Sequence, residues 1–291
     1  MTVTGSILRT QRNSDASLEL AQEAETSLKP VTLTIVGLIF LWTLTASLLK
    51  QRGFDYAILH FLNRPAQRSY LLDASISDLN MLMFSSLPIM ALVWYVWFSS
   101  EDVRRRAAIL AGVVLSVGIG IVSRTLQLLL PTHQRPDLDA ALDFRVPFGF
   151  STGWRLSHWS SFPSDHAAVT FALATIVFLM NRRAGRVAYA FAVSATLARV
   201  YAGYHCPTDV IGGAMLGILG SALAVQLSSI GWVQRLANVP PRRAAVFYAA
   251  CFYVCFGVTT LFFDYREVVT QWRAVALHIV HIVRHLQGQS R

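Results

Sequence analysis

The chain has 291 residues, 54% of them hydrophobic and 14% charged, with a net charge of +9. A soluble domain carries about 25% charged residues, so this composition, with a mean hydropathy of +0.47, excludes an ordinary soluble domain and indicates a polytopic membrane protein. The basic excess stands in short Arg clusters between apolar runs, which is the pattern of membrane topology and not of nucleic-acid binding.

In chain order, residues 1–30 form a polar N-terminal tail with Asp15, Glu19, Glu23 and Glu25. They lack the basic start and short apolar core of a signal peptide. Val31 to Leu49 is uncharged and long enough to cross about 30 Å of hydrocarbon. Residues 50–77 read as a mixed loop with room for a short surface helix. Leu79 to Phe98 is the second expected span, with Trp94, Tyr95 and Trp97 as an aromatic belt. Ala107 to Leu130 is the third, interrupted by Arg124. A long aromatic-rich loop over 131–165 follows, then spans at His166 to Met180, Val187 to Tyr201 and Val210 to Ile230. Residues 181–186 read as a tight turn with three Arg. Gly212, Gly213, Gly217 and Gly220 invite close helix contacts. Residues 231–291 supply a seventh span, Ala244 to Phe263, and an amphipathic C-terminal segment.

This organisation predicts an all-α polytopic membrane bundle of about seven transmembrane helices. The basic loops at 101–106, 181–186 and 231–243 fall on one side, which the positive-inside rule makes cytoplasmic. Residues 50–77, 131–165 and 202–209 then face the extracytoplasmic side of a cell (inner) membrane. Cys206, Cys251 and Cys255 make no disulfide framework. His278, His281 and His285 share a face of the last segment, where a polar interfacial face is favoured over a metal site.

The chemistry concentrates where polar loops meet apolar runs, at Arg135-Pro136, at Pro163-Ser164-Asp165-His166, and over Arg199 to Asp209. Ionisable residues at span ends are functional candidates by default. With a helix starting at Pro207, the Asp209 carboxylate can reach back to a ring nitrogen of His205 and fix its tautomer. The other nitrogen is then available as a nucleophile. Ser164 is a candidate N-cap for a helix whose N-terminus attracts phosphate. His166, at that helix end, can protonate a leaving oxygen. Arg135 and Arg199 offer guanidinium contacts to phosphoryl oxygens. Such a mechanism needs His205 neutral and His166 protonated.

The order Arg-Pro, then Pro-Ser-x-His, then Arg-x5-His-x3-Asp resembles the type 2 phosphatidic acid phosphatase family, whose superfamily includes lipid phosphate phosphatases and vanadium haloperoxidases. The similarity covers roughly residues 80–230, within a membrane-embedded core over 31–230. The resemblance implies a six-helix phosphatase core in which His205 forms a phosphohistidine, Asp209 orients it and His166 protonates the leaving group. It implies that Arg135, Ser164, Arg199 and the backbone around Asp165 hold the phosphoryl oxygens, with no metal and no other cofactor. Two positions depart from the family pattern. Asp165 stands where Gly is usual, and Leu128 stands where a Lys or Arg is usual, seven residues before Arg135. Arg124 is assigned the missing cationic role. The substrate implied is a membrane lipid phosphate or diphosphate, with undecaprenyl diphosphate the leading candidate. A lipid phosphotransferase using the same phosphohistidine, or a non-catalytic membrane scaffold of the same fold, are the alternatives.

Overall fold

The structure of the protein, a computed structural model, describes residues 28–50, 52–81, 83–130, 134–150 and 160–261. Residues 1–27 of the polar tail, His133, Trp154, His158, Trp159 and the C-terminal segment with its three histidines lie outside the described residues. Within them the regular structure is helical, in ten α-helices. Three are long and apolar enough to cross a membrane: α1 (Pro30–Leu48), α5 (Val103–Leu129) and α8 (Pro207–Leu227). Two apolar helices are shorter, α4 (Ser86–Phe98) and α6 (Asp165–Met180). α7 (Arg182–Tyr201) and α10 (Pro241–Thr259) lie where two further spans are expected in this multi-pass membrane bundle. The remaining helices are α2 (Gly53–Asn63), α3 (Tyr70–Asn80) and α9 (Gly231–Ala237).

The hub is α6. It packs against α4, α5, α7 and α8, and twelve of its 16 residues are buried. A helix surrounded on every side has no polar face to spare, which explains its unbroken run of Ala, Val, Leu, Ile, Phe and Thr. Ser164 caps it, accepting a hydrogen bond from the Ala167 amide at 3.4 Å. The glycines of α8 permit close approach. A Cβ at Gly213 would overlap the Ser164 carbonyl, one at Gly217 the Ala168 carbonyl, and one at Gly220 the Ile119 side chain.

Three expectations need correction. The mixed loop at 50–77 is two helices, α2 and α3, in which Asp55 and Asp73 are buried and each has a partner far along the chain. Asp55 accepts from the Thr208 amide at 2.8 Å and the Thr208 hydroxyl at 2.7 Å. Asp73 accepts from the Gln67 and Phe148 amides at 3.0 Å and from the Tyr201 hydroxyl. The span expected from Leu79 to Phe98 is interrupted, because α3 ends at Asn80 and α4 begins only at Ser86. At about 1.5 Å per residue the 13 residues of α4 rise about 20 Å. Finally, the tight turn at 181–186 shrinks to one residue. Asn181 caps α7 by accepting from the Arg183 and Ala184 amides, so the Arg cluster occupies the first turn of that helix.

Chain direction sets where the polar ends lie. Gly112 meets Ile176 near one end of the α5–α6 pair, while Gln127 meets Pro163 at the other. The C-terminal ends of α5 and α7 and the N-terminal ends of α6 and α8 therefore converge on one end of the bundle. The Arg clusters at the starts of α5, α7 and α10 lie at the opposite end.

Candidate active site

His205 sits in the short connection between α7 and α8. Gly203 makes the turn that leads into it, with φ +78°, a conformation that favours glycine. A Cβ there would also strike the Phe144 ring. The imidazole is 2% exposed. Its Nδ1 lies 3.1 Å from the Ser161 carbonyl oxygen. A carbonyl only accepts, so Nδ1 carries the proton and Nε2 keeps its lone pair.

Asp209 faces His205 as an i,i+4 ion pair, but the closer partner of the ring is the Ser161 carbonyl. Asp209 Oδ2 lies 3.8 Å from Nδ1, outside hydrogen-bonding range. That oxygen accepts from the Cys206 amide at 2.7 Å, closing the first turn of α8. Asp209 thus builds the helix start that carries His205, and its charge acts on the ring from a short distance. The tautomer is held by a backbone carbonyl, and no side-chain spacing reveals that partner. Burial pushes the imidazole below its ordinary value. Asp209 works against this shift, and the positive charges of Arg135 and Arg199 add to it.

The Pro-Ser-x-His stretch is wired to both neighbouring helices. The Ser164 amide donates to the Asp209 carbonyl at 2.9 Å, tying the starts of α6 and α8 together. The Pro163 carbonyl, after a cis Phe162–Pro163 bond, accepts from Ser123 Oγ at 2.9 Å and Gln127 Nε2 at 2.6 Å, both on α5. Phe162, fully buried, sits against Gly212.

Arg135 is 5% exposed and donates from Nη1 to the Tyr204 carbonyl at 2.6 Å, next to His205. Burial pushes its guanidinium down from the ordinary value, opposed by the charges of Asp165, Asp209 and Asp137. Its Nε is buried with no hydrogen-bond partner among the described residues, a donor in need of an acceptor. Arg199, in the last turn of α7, acts electrostatically on His205.

Arg124 and Asp165 meet each other. Arg124 Nη2 lies 2.7 Å from Asp165 Oδ2, and its Nη1 donates to Gln127 Oε1 at 2.9 Å. Asp165 Oδ1 accepts from the His166 amide at 2.9 Å and lies 3.2 Å from His166 Nδ1. Leu128 is 57% exposed on the outer side of α5, so that position faces away from the cluster. The structure therefore gathers all eight sequence-derived residues at one end of the bundle. Sequence reasoning missed Ser161, Gln127 and Asp55. Only Asp55 left a signal, as the one acid in α2, beside the apolar Phe54, Ala57, Ile58 and Leu59. Cys206, beside His205, is not a second nucleophile, because burial pushes its thiol well above the ordinary range.

A buried imidazole, a second histidine at a capped helix start and convergent arginines make a site chemically suited to holding and moving a phosphoryl group. Residues 107–232 match the PAP2 superfamily. Among relatives, the chain is 29% identical over 174 residues to the Escherichia coli (strain K12) protein named "Putative undecaprenyl-diphosphatase YbjG", covering 58% of this chain and 78% of that one. It is 24% identical over 160 residues to the undecaprenyl-diphosphatase BcrC of Bacillus subtilis (strain 168), covering 54% and 77%. A solved transmembrane PAP2 type phosphatidylglycerolphosphate phosphatase from Bacillus subtilis aligns with 67% of this chain and 94% of its own, at 21% identity and a TM-score of 0.45.

Proposed function

We propose that the protein removes a phosphoryl group from a membrane lipid phosphate or diphosphate, with undecaprenyl diphosphate as the favoured substrate, from the extracytoplasmic side. The observation that carries this reading is the buried His205 with Nδ1 turned to the Ser161 carbonyl, which leaves Nε2 as the nucleophile. Nε2 attacks phosphorus and the bond to the leaving oxygen breaks. His166 gives that oxygen a proton and then accepts one from the water that resolves the phosphohistidine. Arg135, through its unpaired Nε, and Arg199 take the equatorial phosphoryl oxygens. The Ser164 turn and the start of α6 supply further donors. Asp209 holds the helix start under His205. The substrate assignment draws on the two undecaprenyl-diphosphatase names among the relatives.

The test is phosphate release by the purified protein from undecaprenyl diphosphate, phosphatidylglycerophosphate, phosphatidic acid and a lipid A phosphate, with EDTA present. The expected result is EDTA-insensitive release, fastest on the polyprenyl diphosphate. Abolition by EDTA would sink the metal-free mechanism, and transfer of the phosphate to a lipid or sugar acceptor instead of water would make the protein a phosphotransferase.

The sidedness has its own support, because the Arg clusters lie at the end of the bundle opposite His205 and basic ends stay cytoplasmic. Gln134 is exposed beside Arg135. A Gln134→Cys variant should react in intact cells with a membrane-impermeant maleimide. Labelling only after the cells are broken would reverse the orientation.

A further inference from the structure

The mechanism above leaves two charged residues of the cluster without a role, and they contact one another. Asp165 uses both carboxylate oxygens inside the protein. Oδ2 takes the Arg124 guanidinium at 2.7 Å, and Oδ1 takes the amide and faces Nδ1 of His166, at 2.9 and 3.2 Å. Arg124 is held in turn by Gln127 at 2.9 Å, and Gln127 is anchored on the Pro163 carbonyl at 2.6 Å. The side chains of Asp165 and Arg124 are only 12% and 21% exposed. A carboxylate turned back onto its own helix start does not face an incoming phosphate, whose charge would repel it.

We infer that Arg124 and Asp165 are positioning residues that act through His166, and that neither binds the phosphoryl group through its side chain. The inference rests on the reading of His166 as the general acid. Asp165 accepts from Nδ1–H, so Nε2 is the nitrogen that exchanges its proton. As the bond between phosphorus and the leaving oxygen breaks, its electron pair goes to that oxygen, and the proton on Nε2 follows. The neutral imidazole keeps Nδ1–H on Asp165. Nε2 then takes a proton from the attacking water as the phosphorus–nitrogen bond to His205 breaks. The carboxylate supports the positive imidazolium at the start and end of this cycle. Arg124 balances the carboxylate's charge and fixes its rotamer through a charge-assisted bond.

A group that works through the general acid matters in proportion to how poor the leaving group is. The experiment compares an alkyl phosphate with an aryl phosphate of the same chain length, using the full chain in detergent. Asp165→Asn should lower kcat on the alkyl phosphate about 10–100-fold with KM within about twofold, and lower kcat on the aryl phosphate by less than about threefold. His166→Gln should discriminate in the same direction and more strongly. Arg124→Gln should reproduce the Asp165→Asn pattern, and the double variant should be no slower than either single one, because the two act as one unit. If Asp165→Asn fails to fold, Asp165→Ser, which keeps a small polar residue at the helix start, takes its place.

An equal loss on both substrates would make Asp165 merely structural and overturn the inference alone. A rise in KM with unchanged kcat in Arg124→Gln would make Arg124 a phosphate ligand, and would also overturn it. A folded wild-type chain that releases phosphate from neither substrate, nor from the lipids above, would overturn the phosphatase reading and this inference together.

Discussion

Replacing His205 with Ala abolishes phosphate release, with a loss on the order of 10⁴-fold or more, while the protein still folds and inserts. The size follows from what is removed. A nucleophile that forms a covalent intermediate has no substitute nearby, and removing one member of a unit of this kind costs nearly as much as removing all of it. Cys206 cannot stand in, because its thiol is buried and its proton is held tightly. The measurement is single-turnover phosphate release, together with trapping of acid-labile, base-stable phosphoprotein, which should vanish in the variant. Retained turnover would favour the scaffold reading or another nucleophile. The pH profile tests the same residue. His205 must be neutral to attack, and its surroundings push it below the ordinary histidine value. The acid limb of kcat/KM, reporting the free enzyme, should therefore fall below the ordinary value of about 6.5. A limb above that value would contradict a buried His205 beside Arg135 and Arg199.

The second large effect is structural. Gly213→Ala should destabilise the protein by about 1–3 kcal/mol, the usual cost of overpacking, and lower kcat by more than about tenfold, since a misplacement of about 1 Å can cost up to about 10²-fold. The new methyl would overlap the Ser164 carbonyl and lie 3.0 Å from the Ala167 Cβ. Relief requires α8 to move off the start of α6. That motion stretches the 2.9 Å bond from the Ser164 amide to the Asp209 carbonyl, and so separates His166 from His205. Gly118 is the control, because nothing lies within 4 Å of a Cβ there. Gly118→Ala should be neutral or slightly stabilising, since Ala is the better helix former. Thermal unfolding in detergent, read beside kcat, decides the matter. Equal stability of the two variants would show that the α6–α8 contact is looser than described.

Much of this was legible in the chain itself. The apolar runs that became α1, α5, α6, α7, α8 and α10 stand out because a span must bury its backbone and cover itself with apolar side chains. The Pro-Ser-x-His and Arg-x5-His-x3-Asp spacings stand out because ionisable residues are costly at span ends. Where reading failed, the reason was physical. A hydropathy window sums side-chain transfer and sees no difference between a continuous helix and one that ends at Asn80 and restarts at Ser86, since Leu79, Met81, Met83 and Phe84 are all apolar. The helices α2 and α3 look like loop because Asp55 and Asp73 interrupt them, yet each acid is satisfied by a partner more than 70 residues away. The i,i+4 spacing brings Asp209 to ion-pair distance from His205 but does not show that the same oxygen also serves the helix start. The first turn of α8 claimed the carboxylate for its own amide.

Side-chain type and short spacing are enough to mark the chain as a helical membrane protein and to pick out the residues chemically able to move a phosphoryl group. Which atoms those residues use depends on contacts between distant segments. The Ser161 carbonyl selects the His205 tautomer, Arg124 turns to Asp165 and not outward, and Asp165 turns to His166. Each of these is a hydrogen bond or ion pair effective over about 3 Å, and the partners are brought that close by the packing of α5, α6 and α8 and not by their separation along the chain.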